Sequence, residues 1–409
     1  MSRSPQEPAP RVLYLTHRVP YPPDKGDRIR TYHLLRQMVK RGRVWLGCLA
    51  DEPVPPESLA ALNELCERVA VVPVGGSSRW GRAAWSLATG MSLSEGLFAS
   101  NGLARVLKEW AAEAKFDAVV ASSSALVPYL RAPALAGTPA VVDLIDVDSQ
   151  KWLDFAAASR APKKWLYRLE AARVRKIERA LAGSVRAASV VSRAEADVYD
   201  SFTRAGAATV ATNGVDLDYF APVAPVTGET QLACAFVGAL DYMPNEDAAI
   251  WFARDIWPAI RAKFPAAEFR IIGRKPTPAV QALAVLPGIR LIGQVPDVRP
   301  FVASAAVVVV PLRLARGVQN KVLEAMAMAK AVVAAPPALA ALGTESGIHL
   351  LSASTPEEWV NTVSALFTDA GLRHKLSGAA RQFVERHHHW EQCLRPLLDA
   401  IFPNPVLHT

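Results

Sequence analysis

Three residues on one short segment carry the chemistry to hold a sugar and a phosphate: Asn320, Lys321 and Glu324. They follow an apolar run, Ala305–Val310, and a short loop, Pro311–Gly317. At about 100° per residue, an amide, a cation and a carboxylate share one arc of a helix, and Val322, Leu323, Met326 and Ala327 share the opposite arc. Free N–H groups and the macrodipole attract phosphate to a helix N-terminus, and Lys321 adds charge there. Glu324, slightly deeper, is placed to accept hydrogen bonds from vicinal hydroxyls. A plainer reading is open too: Glu324 as an acid favoured by its own first turn, and Lys321 as a solvated cation.

Other chemistry gathers at the ends of apolar runs. The first run leads into Tyr21–Arg28, where Lys25, Gly26 and Asp27 stand at a loop-to-helix junction with Arg28 beside them. A phosphate or an acceptor sugar fits such a loop, and Asp27 has the side chain of a helix cap. The run Val141–Leu144 ends in acids, with Asp146 and Asp148 at DxD spacing. Asp146 is the candidate to orient an acceptor hydroxyl or take its proton, and a helix cap is the alternative. Further on, Gly238 ends one run, Gly273-Arg274-Lys275 a second, and Gly293-Gln294-Val295 a third. A glycine lets a ligand approach the backbone. Arg274 and Lys275 could neutralise a diphosphate leaving group.

The elements that must position these groups alternate. Short apolar strands and helices follow one another through residues 1–220, and again through 231–385. Such βαβ repetition implies mostly parallel sheets covered on both faces. The expected class is α/β, with two Rossmann-like, doubly wound domains facing across a cleft. The Pro/Thr/Gly-rich stretch 221–230 reads as a linker, and 386–409 as a terminal helix that can cross back to the first domain. In the second half one continuous helix is expected over Asn245–Phe264.

Composition narrows the function. Hydrophobic residues make up 51% and charged residues 21%, so the chain is globular. No apolar run is long enough to span a bilayer, and the polar, proline-rich start lacks the apolar core of a signal peptide. The four cysteines form no CxxC pair, which fits a reducing cytoplasm and excludes a cysteine zinc site. His387, His388 and His389 lack the i, i+4 spacing of a helical metal pair. Net charge is +8. The densest patch, Arg160–Arg179, holds eight cations against Glu170 and Glu178, with Trp165 and Tyr167 among them. A helix of that kind can lie on an anionic membrane surface. No recognition motif accompanies the charge, so nucleic acid is not an expected partner.

Taken together, the stretches VPYPPDKGDRIRTYHLLRQM, DLIDVDSQKW, ATNGVDLDYF, FVGALDYMPNEDAAIWF, GQVPDVRPF and RGVQNKVLEAMAMAKAVV resemble the GT-B retaining glycosyltransferases of group 1, the family-4-like sugar transferases. They are most similar to the subgroup associated with exosortase (PEP-CTERM) and exopolysaccharide loci. The resemblance implies a nucleotide-sugar donor held by the C-terminal half and a saccharide acceptor, lipid-linked, held by the N-terminal half. It implies no cofactor and no metal. From the cysteine usage and the basic helix, the expected location is the cytoplasm, peripheral at the inner face of the membrane. Donor contacts fall on Gly238, Arg274, Gly293, Val295, Asn320, Lys321 and Glu324. Glu324 matches the second glutamate of the family's E-x7-E pattern, expected on the donor ribose, while Arg316 stands where the first would be. Asp241 and Asn245 stand in the stretch where the family carries a basic pair, and Asp143–Asp148 has no histidine where many relatives carry one. Arg274 and Lys321 are then the expected phosphate cations. Ala329 and Ala331 replace the common glycine and proline after the helix. Two rival functions share the architecture: a nucleotide-sugar epimerase and a non-catalytic nucleotide-sugar-binding protein.

Overall fold

The computed structural model describes residues 9–76, 78–226 and 232–403. The chain divides into two compact units, residues 1–212 with 394–409, and residues 213–393. The change of unit comes at Thr212–Asn213, upstream of the expected linker, of which residues 227–230 lie outside the described set.

The first unit is built on β1 (Arg11–Thr16), β2 (Arg43–Ala50), β3 (Arg68–Pro73), β4 (Ala118–Ser122), β5 (Ala140–Ile145), β6 (Ala187–Val190) and β7 (Ala208–Val210). Every pairing is parallel, in the order β3-β2-β1-β4-β5-β6-β7. The strands read as near-continuous apolar runs because helices cover both faces. Leu13, Leu15, Trp45, Leu107 and Trp110 pack on one side, and Val142, Val190 and Tyr199 with neighbours pack in a second cluster. One ion pair crosses this core. Arg30, on the helix Gly26–Met38, donates from Nε and Nη2 to both oxygens of Asp143 on β5, at 2.7 and 2.8 Å, and both side chains are fully buried. Ser189 adds a third donor to the carboxylate at 2.8 Å. Losing one partner of such a pair costs about 3–5 kcal/mol, since the other charge stays buried.

The second unit is built on β8 (Ala233–Val237), β9 (Glu268–Ile272), β10 (Ile289–Gly293), β11 (Val307–Val310), β12 (Ala331–Ala334) and β13 (Leu351–Ser352), again all parallel, in the order β10-β9-β8-β11-β12-β13. Its core runs from Phe236, Phe252 and Trp257 through Leu323 and Met326 to Trp359 and Val363. In each sheet the strand order reverses once, between β1 and β4 and between β8 and β11. Crevices beyond the carboxyl ends of strands at such a reversal are where these sheets take ligands.

Among the described residues, three helices of six residues or more were not expected from sequence: Ser78–Ala88, Leu93–Phe98 and Asp148–Ala157. The expected single helix Asn245–Phe264 is instead Met243–Trp251, a π-type turn over Phe252–Ile256, and Trp257–Lys263. Pro258 explains the break. It has no N–H for the carbonyl of Arg254 and its ring collides there, so the ladder widens by one residue. The last helix, Trp390–Ile401, begins in the second unit and ends in the first.

Candidate functional site

In the second unit the strand exits at the reversal are knit backbone to backbone. Gly238 follows β8 and donates its N–H to the Ile272 carbonyl at 3.0 Å. Gly273 follows β9 and donates to the Gly293 carbonyl at 2.8 Å. A β-carbon on Gly273 would overlap the Gly238 carbonyl, so only glycine permits this approach. Gly293 ends β10 at φ +76, beside a register shift in its pairing with β9. Val295 packs next to it against Ala233, Ala235 and Ile272. Arg274 is half-buried, and its carbonyl accepts the Leu240 N–H at 3.0 Å. Lys275 is exposed.

The helix after β11 runs Asn320–Ala327, with Gln319 as N-cap and no side-chain cap. Its apolar arc is fully buried: Val322, Leu323, Met326 and Ala327. Lys321 and Glu324 lie half-buried on the other arc. Lys321 Nζ donates to Asn245 Oδ1 at 2.6 Å and sits 4.7 Å from the centre of the Phe236 ring. A β-carbon on Gly238 would come within 3.0 Å of Lys321 Nζ and 2.8 Å of Asn245 Nδ2. Asn320 Oδ1 accepts from Asn213 Nδ2 at 2.9 Å. Burial lowers the Lys321 ammonium to about 7, with Glu324 opposing the shift. Burial likewise raises the Glu324 carboxyl to about 7, with Lys321 opposing it. Each group therefore gains from a polar ligand that restores its charge.

Gly238, Asn320, Lys321 and Glu324 thus converge at the reversal, and Arg274, Gly293 and Val295 line the adjoining strand exits. Asn245 is the member that sequence did not identify as a partner. It stood out only as a departure from a basic pair, and nothing in its neighbours signals that a lysine 76 residues later will bond it.

In the first unit, the expected loop has different electrostatics. Lys25 Nζ donates to Glu52 at 3.2 Å, and Arg28 donates to Glu52 and Asp24 at 3.1 Å each, so these cations are already compensated. Lys25 is the N-cap of the helix Gly26–Met38 and makes no side-chain cap bond. Asp27 is not that cap. It sits in the first turn, accepts from Arg18 at 2.8 Å and lies 3.3 Å from His17 Nε2. Burial would raise its carboxyl, but the hydrogen bond and charge of His17, with the Arg18 guanidinium, hold it well below the usual carboxylate range. Gly26 has open space where a β-carbon would sit. Asp146 lies just past Ile145, whose φ is +70, at the exit of β5. The residues around it are fixed: Val147 N donates to Glu195 at 2.7 Å, Ser124 Oγ to Asp148 at 2.6 Å, and Ser149 N to Glu178 at 3.1 Å. Among the described residues, no group of three or more His, Cys, Asp or Glu side chains is arranged to hold a metal ion.

Residues 231–369 match the family model described as Glycosyl transferases group 1. No curated protein sequence matches the chain. Among solved structures, Alr3699/HepE of Anabaena in complex with UDP-glucose superposes with a TM-score of 0.69 at 14% identity, covering 96% of this chain and 100% of that one. Sucrose-phosphate synthase of Thermosynechococcus elongatus gives 0.71 at 16%, covering 96% and 99%. WaaG, a glycosyltransferase involved in lipopolysaccharide biosynthesis, gives 0.64 at 14%, covering 96% and 100%. The fold is therefore GT-B, and the group 1 glycosyltransferase match falls on the segment that carries Gly238, Lys321 and Glu324.

Proposed function

We propose that this protein is a glycosyltransferase that moves a sugar from a nucleotide-diphosphate donor to a saccharide acceptor. One observation carries the reading. A half-buried lysine in the first turn of a helix stands beside Gly238 at the reversal of a parallel sheet, with a half-buried carboxyl three residues on, and burial brings both to about 7. A diphosphate suits that turn: free N–H groups and the Lys321 ammonium meet its charge. Glu324 accepts from the ribose hydroxyls, and Arg274 joins Lys321 in stabilising the diphosphate as it departs. Gly293, Val295 and Asn320 complete the donor side.

UDP is the first nucleotide to test, because HepE, which shares the fold, was solved with UDP and with UDP-glucose. The transfer is read as retaining and independent of metal, with protein cations meeting the leaving-group charge. Lys25, Gly26 and Asp27 contribute to the acceptor side, where Asp146 orients the accepting hydroxyl. The acceptor is read as a lipid-linked saccharide in exopolysaccharide or cell-surface glycan synthesis, reached from the cytoplasmic face of the membrane.

The test is a thermal-shift screen of nucleoside diphosphates and their sugars, followed by product analysis with and without saccharide acceptors. A ligand at a hundred times its Kd stabilises by about 2.7 kcal/mol, a readily measured shift. UDP or UDP-sugar should raise the melting temperature, and transfer should survive EDTA. Absence of any shift across the panel would remove the donor site. Epimerisation of the donor without acceptor would assign the chain to the epimerases instead.

A further inference from the structure

The helix Ser78–Ala88 has its polarity inside out. A surface helix ordinarily buries its apolar stripe and turns polar residues to water. Here the outward positions are Trp80, Gly81, Ala84, Trp85 and Ala88, an arc of about 140° at helical spacing with no charge in it. Trp80 and Trp85 are 62% and 71% exposed. Among the described residues, the one other exposed tryptophan is Trp165, at 64%, on the helix Lys163–Leu181, where Leu166 and Leu169 are also exposed.

The two helices belong to one surface. Arg173 of the long helix donates to the Leu87 carbonyl at 2.9 Å and the Met91 carbonyl at 2.7 Å, at and just beyond the end of the short one. Met91 is itself exposed. Charge on the long helix is sorted with equal clarity. Its two acids, Glu170 and Glu178, are fully buried. Glu170 accepts from the Leu93 and Ser94 N–H groups at the start of the helix Leu93–Phe98, at 2.6 and 2.9 Å, and Glu178 accepts from Ser149 N. What that helix shows to water is therefore cationic: Lys163, Arg168, Lys176 and Arg179. Arg168 lies over the Trp165 ring at 5.4 Å.

We infer that this two-helix face docks on an anionic lipid surface, lying in the plane of the headgroups. Tryptophan and leucine side chains enter the headgroup–acyl boundary, and the basic row meets lipid phosphates. The charge decides the occupant, since a second copy of the chain would bring the same cations against these. The inference goes beyond donor binding and stands without it.

The test uses the full chain and vesicles of phosphatidylcholine, with or without phosphatidylglycerol, in a flotation assay. The wild-type protein should float with the phosphatidylglycerol vesicles at low salt and be released by high salt. The variant Trp80→Ser/Trp85→Ser/Trp165→Ser should lose about tenfold or more in partitioning, and Lys163→Glu/Arg168→Glu/Lys176→Glu should abolish it. Both variants should keep the wild-type melting temperature and UDP affinity, which separates docking from folding and from the donor site. Failure of the wild type to float, or flotation unchanged in both variants, would overturn the inference. So would self-association that the tryptophan variant abolishes, with no vesicle binding by the wild type.

Discussion

Lys321 Nζ donates to Asn245 Oδ1 at 2.6 Å, joining two helices that follow different strands. Asn245 Nδ2 donates in turn to the Ala239 carbonyl at 2.9 Å, which fixes the amide. Because Asn245 is neutral, the bond orients the ammonium without cancelling its charge. Half-burial beside Phe236 makes that charge costly. An anion arriving there is attracted by a cation that is already in position.

Replacing either member of the site pair should weaken nucleotide binding. Glu324→Ala removes an acceptor for hydroxyls, and Lys321→Met removes a charge-assisted donor. Each should cost about 1.5–3 kcal/mol, or roughly ten- to a hundredfold in Kd for UDP. Titration calorimetry measures it. Unchanged affinity in Glu324→Ala removes that residue from the ribose role.

The affinity should also depend on pH in two directions. A diphosphate favours protonated Lys321, whose ammonium is lowered to about 7 by burial, so above that pH binding takes up a proton and weakens as pH rises. Hydroxyl donors favour ionised Glu324, also near 7, so below that pH binding releases a proton and weakens as pH falls. The slope on each side should approach about tenfold per pH unit. Calorimetry in buffers of differing ionisation enthalpy should show the proton exchange changing sign near 7. Lys321→Arg should remove the alkaline limb, and a flat profile in the wild type would contradict this linkage.

Among the glycines, geometry predicts unequal costs. Gly273→Ala forces a β-carbon onto the Gly238 carbonyl and must separate two strand exits. It should destabilise the fold by about 2–4 kcal/mol and abolish UDP binding. Gly293→Ala has open space and pays only for φ +76, about 1–2 kcal/mol. Urea unfolding ranks the two, and equal losses would argue against the close approach as the cause.

A stabilising change is available at the end of the site helix. Lys330 N donates to the Ala325 carbonyl and Ala329 N to the Met326 carbonyl, each at 3.0 Å, closing the helix in a Schellman turn. Ala329 occupies the left-handed position at φ +51, where glycine is favoured. Ala329→Gly should stabilise by about 0.5–1 kcal/mol, after allowing for the freedom glycine adds to the unfolded chain. Thermal melting reads it, and a lower midpoint would refute the strain at this position.

Much of this was legible in the residues alone. Apolar runs bounded by glycine and proline mark the parallel strands, because a strand covered on both faces has no polar side to show. The two-faced arc of Asn320–Ala327 identified Lys321 and Glu324 correctly as lying on the arc opposite its buried side chains. Three things were not legible. The helix Ser78–Ala88 was missed because its contrast is inverted: the apolar side faces outward, so no buried apolar stripe marks it as a helix packed on the core. The continuous helix over Asn245–Phe264 was overread because apolar spacing outweighed Pro258. Lys25 and Arg28 read as open cations because Glu52, which accepts from both, comes from beyond a different strand.

The sequence by itself determined most of the strands and helices, and which side is buried wherever the outer face is polar, since periodicity and side-chain polarity are local properties. Only the tertiary structure decided the rest. Strand order places Gly238, Asn245 and Lys321 at one reversal, although they are far apart along the chain. Packing then sets how much water each charge loses, and so gives Lys321 and Glu324 their poise near 7. Contacts and desolvation depend on neighbours brought together by folding, and no local pattern encodes them.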